Sequence, residues 1–169
     1  MSPRIIDNVL PDDQADLLEQ YFITSKEFNE WKFIPFVANS NDDCKLDHFY
    51  FQHIIYKQPG GKVKIESPVL DRVKHLLHII NYKALLRAKA NLYTNVGKIV
   101  EHKPHVDYNF SHHSALYFVN TNNGYTTLAD GKKVESVKNR LLMFDGSTPH
   151  FSSTCTDQQA RVTLNFNFF

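Results

Sequence analysis

The chain of 169 residues is long enough for one domain with a substantial hydrophobic core. Apolar residues make up 42% of it and aromatic residues 13%, which is typical of a globular protein and argues against intrinsic disorder. The formal net charge of +1 gives no electrostatic reason to expect a nucleic-acid partner or an anionic membrane.

The cysteines and the hydropathy pattern predict a location. Cys44 and Cys155 are far apart, and the first residues contain no apolar signal segment. We therefore expect reduced thiols and a cytoplasmic protein. No apolar run approaches the length of a transmembrane helix, so no membrane partner is expected.

The first half of the chain predicts two helices and two strands. Residues 11–25 begin with a proline and paired aspartates, which suit a helix N-terminus, and the expected buried stripe is Leu17, Leu18, Tyr21 and Phe22. Residues 30–39 and 47–57 predict strands, and 58–62 a turn. Residues 67–81 predict the clearest helix, because apolar residues recur there at helical spacing: Val69, Val73, Leu76, Leu77 and Ile80.

The second half changes to short strands separated by turn residues. Seven strands are predicted, over 87–96, 113–120, 124–130, 132–136, 139–146, 150–154 and 161–169. Turns are expected at Asn122-Asn123-Gly124, at Asp130-Gly131 and at Asp145-Gly146. This pattern favours an antiparallel sandwich, barrel or jelly roll. We predict one domain, with residues 1–84 supporting a β core of residues 85–169.

The last predicted strand separates two kinds of residue. Val162, Leu164, Phe166 and Phe168 alternate with Arg161, Thr163, Asn165 and Asn167. The apolar face would pack beneath the N-terminal helices. The polar face would meet either solvent or a polar cavity, and the sequence leaves both open.

A candidate metal site lies in the segment EHKPHVDYNFSHH, residues 101–113. His105 and Asp107 alternate along an extended segment and can reach one ion, and His150 is the best third ligand. Two imidazoles and one carboxylate leave coordination positions open, as in non-haem Fe(II) oxygenases, whereas structural zinc sites are closed by four ligands. Arg161 and Thr163, on the following strand, could hold a carboxylate.

These residues resemble a known family. The segments NLYTNV, HKPHVD, ALYFVN, NRLLMFDGSTPH and RVTLNFNFF, within roughly residues 85–169, resemble the prolyl 4-hydroxylase-like branch of the Fe(II)/2-oxoglutarate-dependent dioxygenases. The resemblance implies a mainly β fold, a double-stranded β-helix (jelly roll) supported by N-terminal α-helices. It also implies Fe(II) on His105, Asp107 and His150, and O2 at an open position. The cosubstrate 2-oxoglutarate would bind Arg161, helped by Thr163 and the hydroxyl of Tyr93.

The chain departs from the family pattern at two places. Collagen-type prolyl hydroxylases have lysine where this chain has Arg161. Some relatives place a cosubstrate-binding tyrosine in the second strand, where this chain has Phe118 with Tyr117 beside it. If Tyr117 points away from the cavity, one cosubstrate hydrogen bond is missing.

The remaining histidines receive other interpretations. We expect His102, His112 and His113 at the rim of the site or in a solvated loop, and His75 and His78 on a helix surface. A weaker metal set on an early strand is Asp47, His48 and His53, for which edge-strand polar residues are the better expectation.

Together these features predict a small Fe(II)- and 2-oxoglutarate-dependent dioxygenase that hydroxylates prolyl residues or another amino-acid or peptide substrate. An oxidative demethylase is the alternative within the enzymes. A jelly-roll binding or structural protein without turnover is the alternative outside them.

Overall fold

A computed structural model of the protein describes residues 2–28, 30–37, 47–58 and 65–169. In chain order the described residues form β1 (Arg4–Ile6), α1 (Asp12–Glu19), a π-helical turn (Gln20–Thr24), β2 (Lys32–Ile34), β3 (Tyr50–Lys57), β4 (Ile65–Glu66), α2 (Val69–Ile80), β5 (Leu85–Thr94), β6 (His113–Phe118), β7 (Asn122–Thr127), β8 (Lys133–Ser136), β9 (Arg140–Asp145), β10 (Phe151–Ser152) and β11 (Ala160–Phe168). Cys44 and most of the predicted 58–62 turn lie outside the described residues. No helix among the described ranges is long and apolar enough to cross a membrane.

Two antiparallel sheets face each other. The larger sheet has the strand order β1-β9-β6-β11-β5-β3-β2, with β4 paired to β3. The smaller sheet has the order β10-β7-β8. The predicted mainly β jelly roll is therefore confirmed, and the division into residues 1–84 and 85–169 stays a prediction.

Helices α1 and α2 pack against one face of the larger sheet. Ser67, just before α2, stabilises its start, since its hydroxyl accepts a hydrogen bond from the backbone N–H of Val69 at 3.3 Å. Asn81 ends the helix in the left-handed conformation with φ of 53°. The apolar residues predicted for α2 are all buried. In α1 the prediction for Leu17 is wrong, because that side chain is 63% exposed and the buried side is formed by Ala15, Leu18 and Phe22.

Strand β11 lies in the middle of the larger sheet, between β6 and β5, and both of its faces are buried. Its apolar face joins the core beneath the helices, which also contains Ala88 and Ala90 of β5. Its polar face points between the two sheets. A second, smaller apolar cluster lies there, made of Leu116, Phe118, Leu128, Val134, Leu142 and Phe144. The polar face therefore meets a cavity and not solvent.

The turn predictions are partly confirmed. Asp130-Gly131 forms the connection between β7 and β8, with Gly131 at a φ of 82°. The turn predicted at Asn122-Asn123-Gly124 is wrong, because these residues begin β7. The register with β8 shifts between Asn122 and Tyr125, so the polar residues mark an irregularity in the strand. Strands β1 and β4 were not predicted, since each is two or three residues long.

Candidate metal and cosubstrate site

Backbone pairing brings the two candidate histidine ligands together. The N–H of His105 donates to the carbonyl of His150 at 3.0 Å, and the N–H of His150 donates to the carbonyl of His105 at 3.0 Å. Their rings lie side by side, with centroids 4.6 Å apart. The N–H of Asp107 donates to the carbonyl of Gly146 at 3.0 Å, so the loop after β9 positions the third residue as well.

One ligand atom from each of His105, Asp107 and His150 lies within 4.8 Å of the other two. His150 Nδ1 donates to the carbonyl of Thr148 at 3.0 Å, so His150 Nε2 carries a lone pair. This Nε2 faces Asp107 Oδ2 at 3.8 Å, too far for a hydrogen bond. His105 Nδ1 is buried and forms no well-aligned hydrogen bond with the residues that the structure describes. Acceptor atoms that converge in this way fit a divalent cation placed among them.

The Asp107 side chain is only 1% exposed and is held by several donors. Arg87 Nη2 donates to Oδ1 at 2.6 Å, while Ser114 Oγ and Asn167 Nδ2 donate to Oδ2 at 2.8 Å each. Asn165 Nδ2 lies 3.4 Å from Oδ2. These contacts fix the carboxylate in one orientation, as outer-shell partners of metal ligands do.

The same contacts keep this carboxylate ionised. Burial acts to raise the pKa of Asp107, but the positive charges of Arg87 and Lys89 and the hydrogen bond from Asn167 outweigh it, so the pKa lies below its usual range. Burial and its histidine neighbour lower the pKa of His105 to about 4, and burial lowers the pKa of His150. Both imidazoles are therefore neutral at neutral pH, which is the form that coordinates metals.

Arg161 is a buried cation, 1% exposed, held only by neutral groups. Its Nε donates to Ser136 Oγ at 2.6 Å, its Nη2 to Thr126 Oγ1 at 2.8 Å, and its Nη1 to the carbonyl of Ser153 at 3.4 Å. Among the described residues it has no carboxylate partner. Gly124 makes room for it, because a Cβ there would lie 2.7 Å from Arg161 Cδ. A desolvated guanidinium in this state is suited to an anionic ligand.

Arg161, Thr163 and Tyr93 line one cavity together with His105 and His150. Tyr93 lies opposite Arg161 across the β5–β11 pair and stacks on Tyr50, with centroids 5.6 Å apart. The cavity holds about 30 Å³, the share of a single water molecule in the liquid, so a five-carbon dicarboxylate enters only if lining side chains move.

The structure shows what replaces the cosubstrate-binding tyrosine that some relatives have in the second strand. Phe118 places its ring 5.6 Å from the guanidinium carbon of Arg161. Tyr117 points to the opposite face, into the core beneath the helices, and its hydroxyl has no hydrogen-bond partner in the described part of the chain. No tyrosine hydroxyl therefore approaches Arg161 from this position of β6.

The interpretation of the neighbouring histidines needs correction. His102 and His112 are each 2% exposed, so they are neither rim residues nor solvated. His102 Nδ1 pairs with Ser152 Oγ at 2.9 Å and its ring packs on Tyr93, with centroids 5.1 Å apart. His112 Nδ1 donates to the carbonyl of Phe110 at 2.8 Å. His113, half-buried, packs on Phe168 on the helix-side face.

The structure also locates the weaker metal set of the early strand and the two histidines of α2. His53 is 7% exposed and pairs with Ser67 Oγ at 2.9 Å, so the expectation of an edge-strand polar residue is wrong for it. Asp47 and His48 lie 3.8 Å apart without a third ligand, and the part of the chain that the structure describes contains one metal-type cluster, that of Asp107. His75 and His78 are exposed on α2, as expected.

Sequence reasoning missed Arg87, Lys89 and Ser114. For Arg87 and Lys89 the signal was present in β5, where Arg87, Lys89, Asn91 and Tyr93 occupy alternate positions and Ala88 and Ala90 lie between the first three. An alternating polar face in a central strand is as informative here as it is in β11.

The two facing sheets and the polar cavity between them define a jelly-roll fold. The chain is similar in structure to a prolyl hydroxylase in complex with a hypoxia-inducible-factor oxygen degradation domain peptide fragment from Trichoplax adhaerens, with a TM-score of 0.68, 14% identity, and coverage of 99% of this chain and 83% of the other. It is also similar to the viral collagen prolyl hydroxylase of Paramecium bursaria Chlorella virus-1 in its 2-oxoglutarate complex, with a TM-score of 0.60, 16% identity, and coverage of 99% and 95%.

A third similar structure is the non-heme alpha-ketoglutarate-dependent epimerase SnoN from nogalamycin biosynthesis, with a TM-score of 0.66, 12% identity, and coverage of 99% and 77%. By sequence alone the chain matches no family model and no curated protein. The likeness to prolyl hydroxylases is therefore one of fold, and SnoN shows that other reactions use the same fold.

Proposed function

We propose that this protein is an Fe(II)- and 2-oxoglutarate-dependent dioxygenase that hydroxylates a prolyl residue or another amino-acid or peptide substrate. One observation carries the proposal. The His105–His150 pair, with Asp107 beside it, and the buried, uncompensated guanidinium of Arg161 line the same cavity. A metal-binding group and an anion-binding group in one cavity suit a ligand that chelates a metal at one end and carries a carboxylate at the other.

His105, Asp107 and His150 would hold the iron and leave positions for cosubstrate and O2. Bound Fe(II) would supply the activation of O2 that is coupled to conversion of 2-oxoglutarate to succinate and CO2. Arg87 and Asn167 keep the Asp107 carboxylate oriented, and Thr148 sets the tautomer of His150.

Arg161 would bind the distal carboxylate of 2-oxoglutarate. Its guanidinium is held by hydroxyls of the smaller sheet, so it is oriented before the cosubstrate arrives. Thr163, 2% exposed on the next inward position of β11, and the hydroxyl of Tyr93 would add hydrogen bonds. Burial raises the pKa of Tyr93, so this hydroxyl stays protonated and can donate.

The peptide bound to the Trichoplax enzyme supports a peptide substrate, because that enzyme has the same fold. Other reactions remain alternatives under this proposal, including oxidative demethylation. The near-neutral net charge does not favour a nucleic-acid substrate.

The test is 2-oxoglutarate turnover by the purified protein with Fe(II) and O2, measured as succinate formed without any added substrate. We expect slow succinate formation that requires Fe(II) and is abolished by His105→Ala. The matched control is His75→Ala, which removes an exposed histidine of α2 and leaves the rate unchanged. A protein that binds neither Fe(II) nor 2-oxoglutarate would instead be a jelly-roll binding protein without turnover.

A further inference from the structure

The inward face of β5 carries a second cationic group beside the proposed metal site. Lys89 lies opposite Asn165 in the β5–β11 register, one inward position from Arg87, which lies opposite Asn167. Lys89 lines the narrow cavity of Arg161 and also a neighbouring cavity of about 240 Å³. The two cavities meet at Lys89, Tyr93 and His105, so Lys89 stands between the proposed cosubstrate pocket and a second space next to Asp107.

The Lys89 ammonium lies near the Asp107 carboxylate but does not contact it. It makes no hydrogen bond or ion pair with any described residue, and the nearby carboxylate of Asp107 is already bound by Arg87 at 2.6 Å. Arg87 uses Nε and Nη2 on Asn167 and Asp107, which leaves its Nη1 without a hydrogen bond to a described residue.

The charges that line the two cavities do not balance. Three cationic side chains, Arg87, Lys89 and Arg161, face one carboxylate, that of Asp107, among the described residues. In the proposed function the two positive charges of Fe(II) are balanced by the two carboxylates of 2-oxoglutarate. The excess of three cationic side chains over one carboxylate therefore remains after both have bound. Burial and the charge of Arg87 lower the pKa of Lys89 to about 7, and an anion bound beside it would favour the ammonium form.

We propose that Lys89, with the free edge of Arg87, binds a carboxylate carried by the primary substrate, in the cavity beside Asp107. This inference rests on the proposed function and names the substrate class of the same site. The cavity volume of about 240 Å³ lies below the range of about 300–1,000 Å³ typical of pockets for drug-sized ligands, so it suits a molecule of amino-acid size or one residue of a peptide. Tyr50 and Gln52 of β3 line its far side.

The carboxylate could belong to a free amino acid or to a peptide terminus, and the probes separate these sources. L-proline and an N-acetylated dipeptide ending in proline are each compared with the corresponding C-terminal amide. Binding is measured by calorimetry under nitrogen on the protein loaded with Mn(II) and 2-oxoglutarate. Stimulation of succinate formation is measured in parallel with Fe(II) and O2. The free acid is expected to bind and stimulate, and its amide to do neither.

The variant series tests the role of Lys89. Lys89→Met is expected to weaken binding of the acid by about tenfold or more, and to change the Km for 2-oxoglutarate less than it changes binding of the acid. Lys89→Arg keeps the charge and is expected to retain binding. Lys132→Met, at the exposed β7–β8 hairpin, is the matched control and is expected to behave as wild type.

Three results would overturn the inference. Amides that bind as well as acids would remove the carboxylate requirement. An effect of Lys89→Met on the Km for 2-oxoglutarate alone would assign this lysine to the cosubstrate. A wild-type protein that turns over 2-oxoglutarate but binds none of the acids would exclude the substrate class. Absence of any 2-oxoglutarate turnover is a different outcome, since it overturns the proposed function itself.

Discussion

The two faces of β11 are equally buried and opposite in chemistry. Val162, Leu164 and Phe166 are completely buried against the helices, whereas Thr163 and Asn165 on the other face are 2% and 4% exposed. Burial of polar groups is costly unless hydrogen bonds or ligands compensate. On the cavity side the compensation is incomplete, since Asn165 Oδ1 and Asn91 Oδ1 have no hydrogen-bond partner among the described residues.

The difference between the two faces of β11 indicates that one side of the sheet stabilises the fold and the other binds ligands. The helix-side face is closed by apolar packing alone. The cavity-side face holds a buried guanidinium with no carboxylate partner among the described residues, and it lies beside three convergent side chains of the metal-ligand type. Substitutions on the helix-side face should therefore lower stability, and substitutions on the cavity-side face should weaken binding of metal or cosubstrate.

The largest effect is expected on the apolar face. Phe166→Ala removes a completely buried ring beneath the helices and should lower the free energy of unfolding by about 3–5 kcal/mol. Urea unfolding measures the change. The folded fraction should still bind Fe(II), and a variant as stable as wild type would show that this face does not carry the core.

On the polar face, Arg161→Met should raise the Km for 2-oxoglutarate by about a hundredfold and leave Fe(II) affinity unchanged. Its free energy of unfolding should change by less than about 1 kcal/mol, because an apolar side chain of similar size replaces a buried charge. The control is Arg140→Met, which removes the ion pair with Asp7 outside the cavity. An unchanged Km for 2-oxoglutarate would place the cosubstrate elsewhere.

The metal-free protein should lose stability in acid because of its buried histidines. Burial lowers the pKa of His105 to about 4 and the pKa of His102 to about 3, from an ordinary value of 6.5. Since the unfolded chain takes up these protons first, stability is complete above pH 6.5 and falls as the pH decreases towards 4. We expect each of these two histidines to account for a loss of about 3 kcal/mol at pH 4, measured by urea unfolding across this range.

Two variants check this pH dependence. His105→Gln should reduce the slope of the curve between pH 6.5 and 4 by about half, because His102 still contributes, whereas His75→Gln, on the exposed face of α2, should leave it unchanged. Identical curves for wild type and His105→Gln would contradict the assignment.

The smallest effect is expected for a residue that acts through Asp107. Asn167→Ala removes a donor to Asp107 Oδ2 at 2.8 Å and an acceptor for Arg87 Nε at 3.0 Å. Fe(II) affinity should fall by about tenfold, as for other outer-shell partners of metal ligands, with little change in the Km for 2-oxoglutarate. Asn123→Ala, in the exposed start of β7, is the control and should bind Fe(II) as wild type does.

Much of this arrangement could be predicted from the sequence, because alternation and spacing are local signals. The run of short strands predicted a sandwich, barrel or jelly roll, and the family resemblance narrowed this to the jelly roll. His105 and Asp107 predicted a metal-type cluster only together with His150. The position of His102 could not be predicted, because its burial depends on contacts with Tyr93 and Ser152, nine residues before it and fifty after it. The partners of Asp107 come from β5, β6 and β11, and their convergence follows from strand order.

The central claim is that His105, Asp107 and His150 bind a divalent metal, and anaerobic titration of metal-depleted protein with Fe(II) tests it most directly. The geometry predicts one Fe(II) per chain, loss of binding in Asp107→Ala, and full binding in Glu101→Ala, which removes an exposed carboxylate six residues earlier. No binding by the wild-type protein, or equal binding by Asp107→Ala, would contradict it.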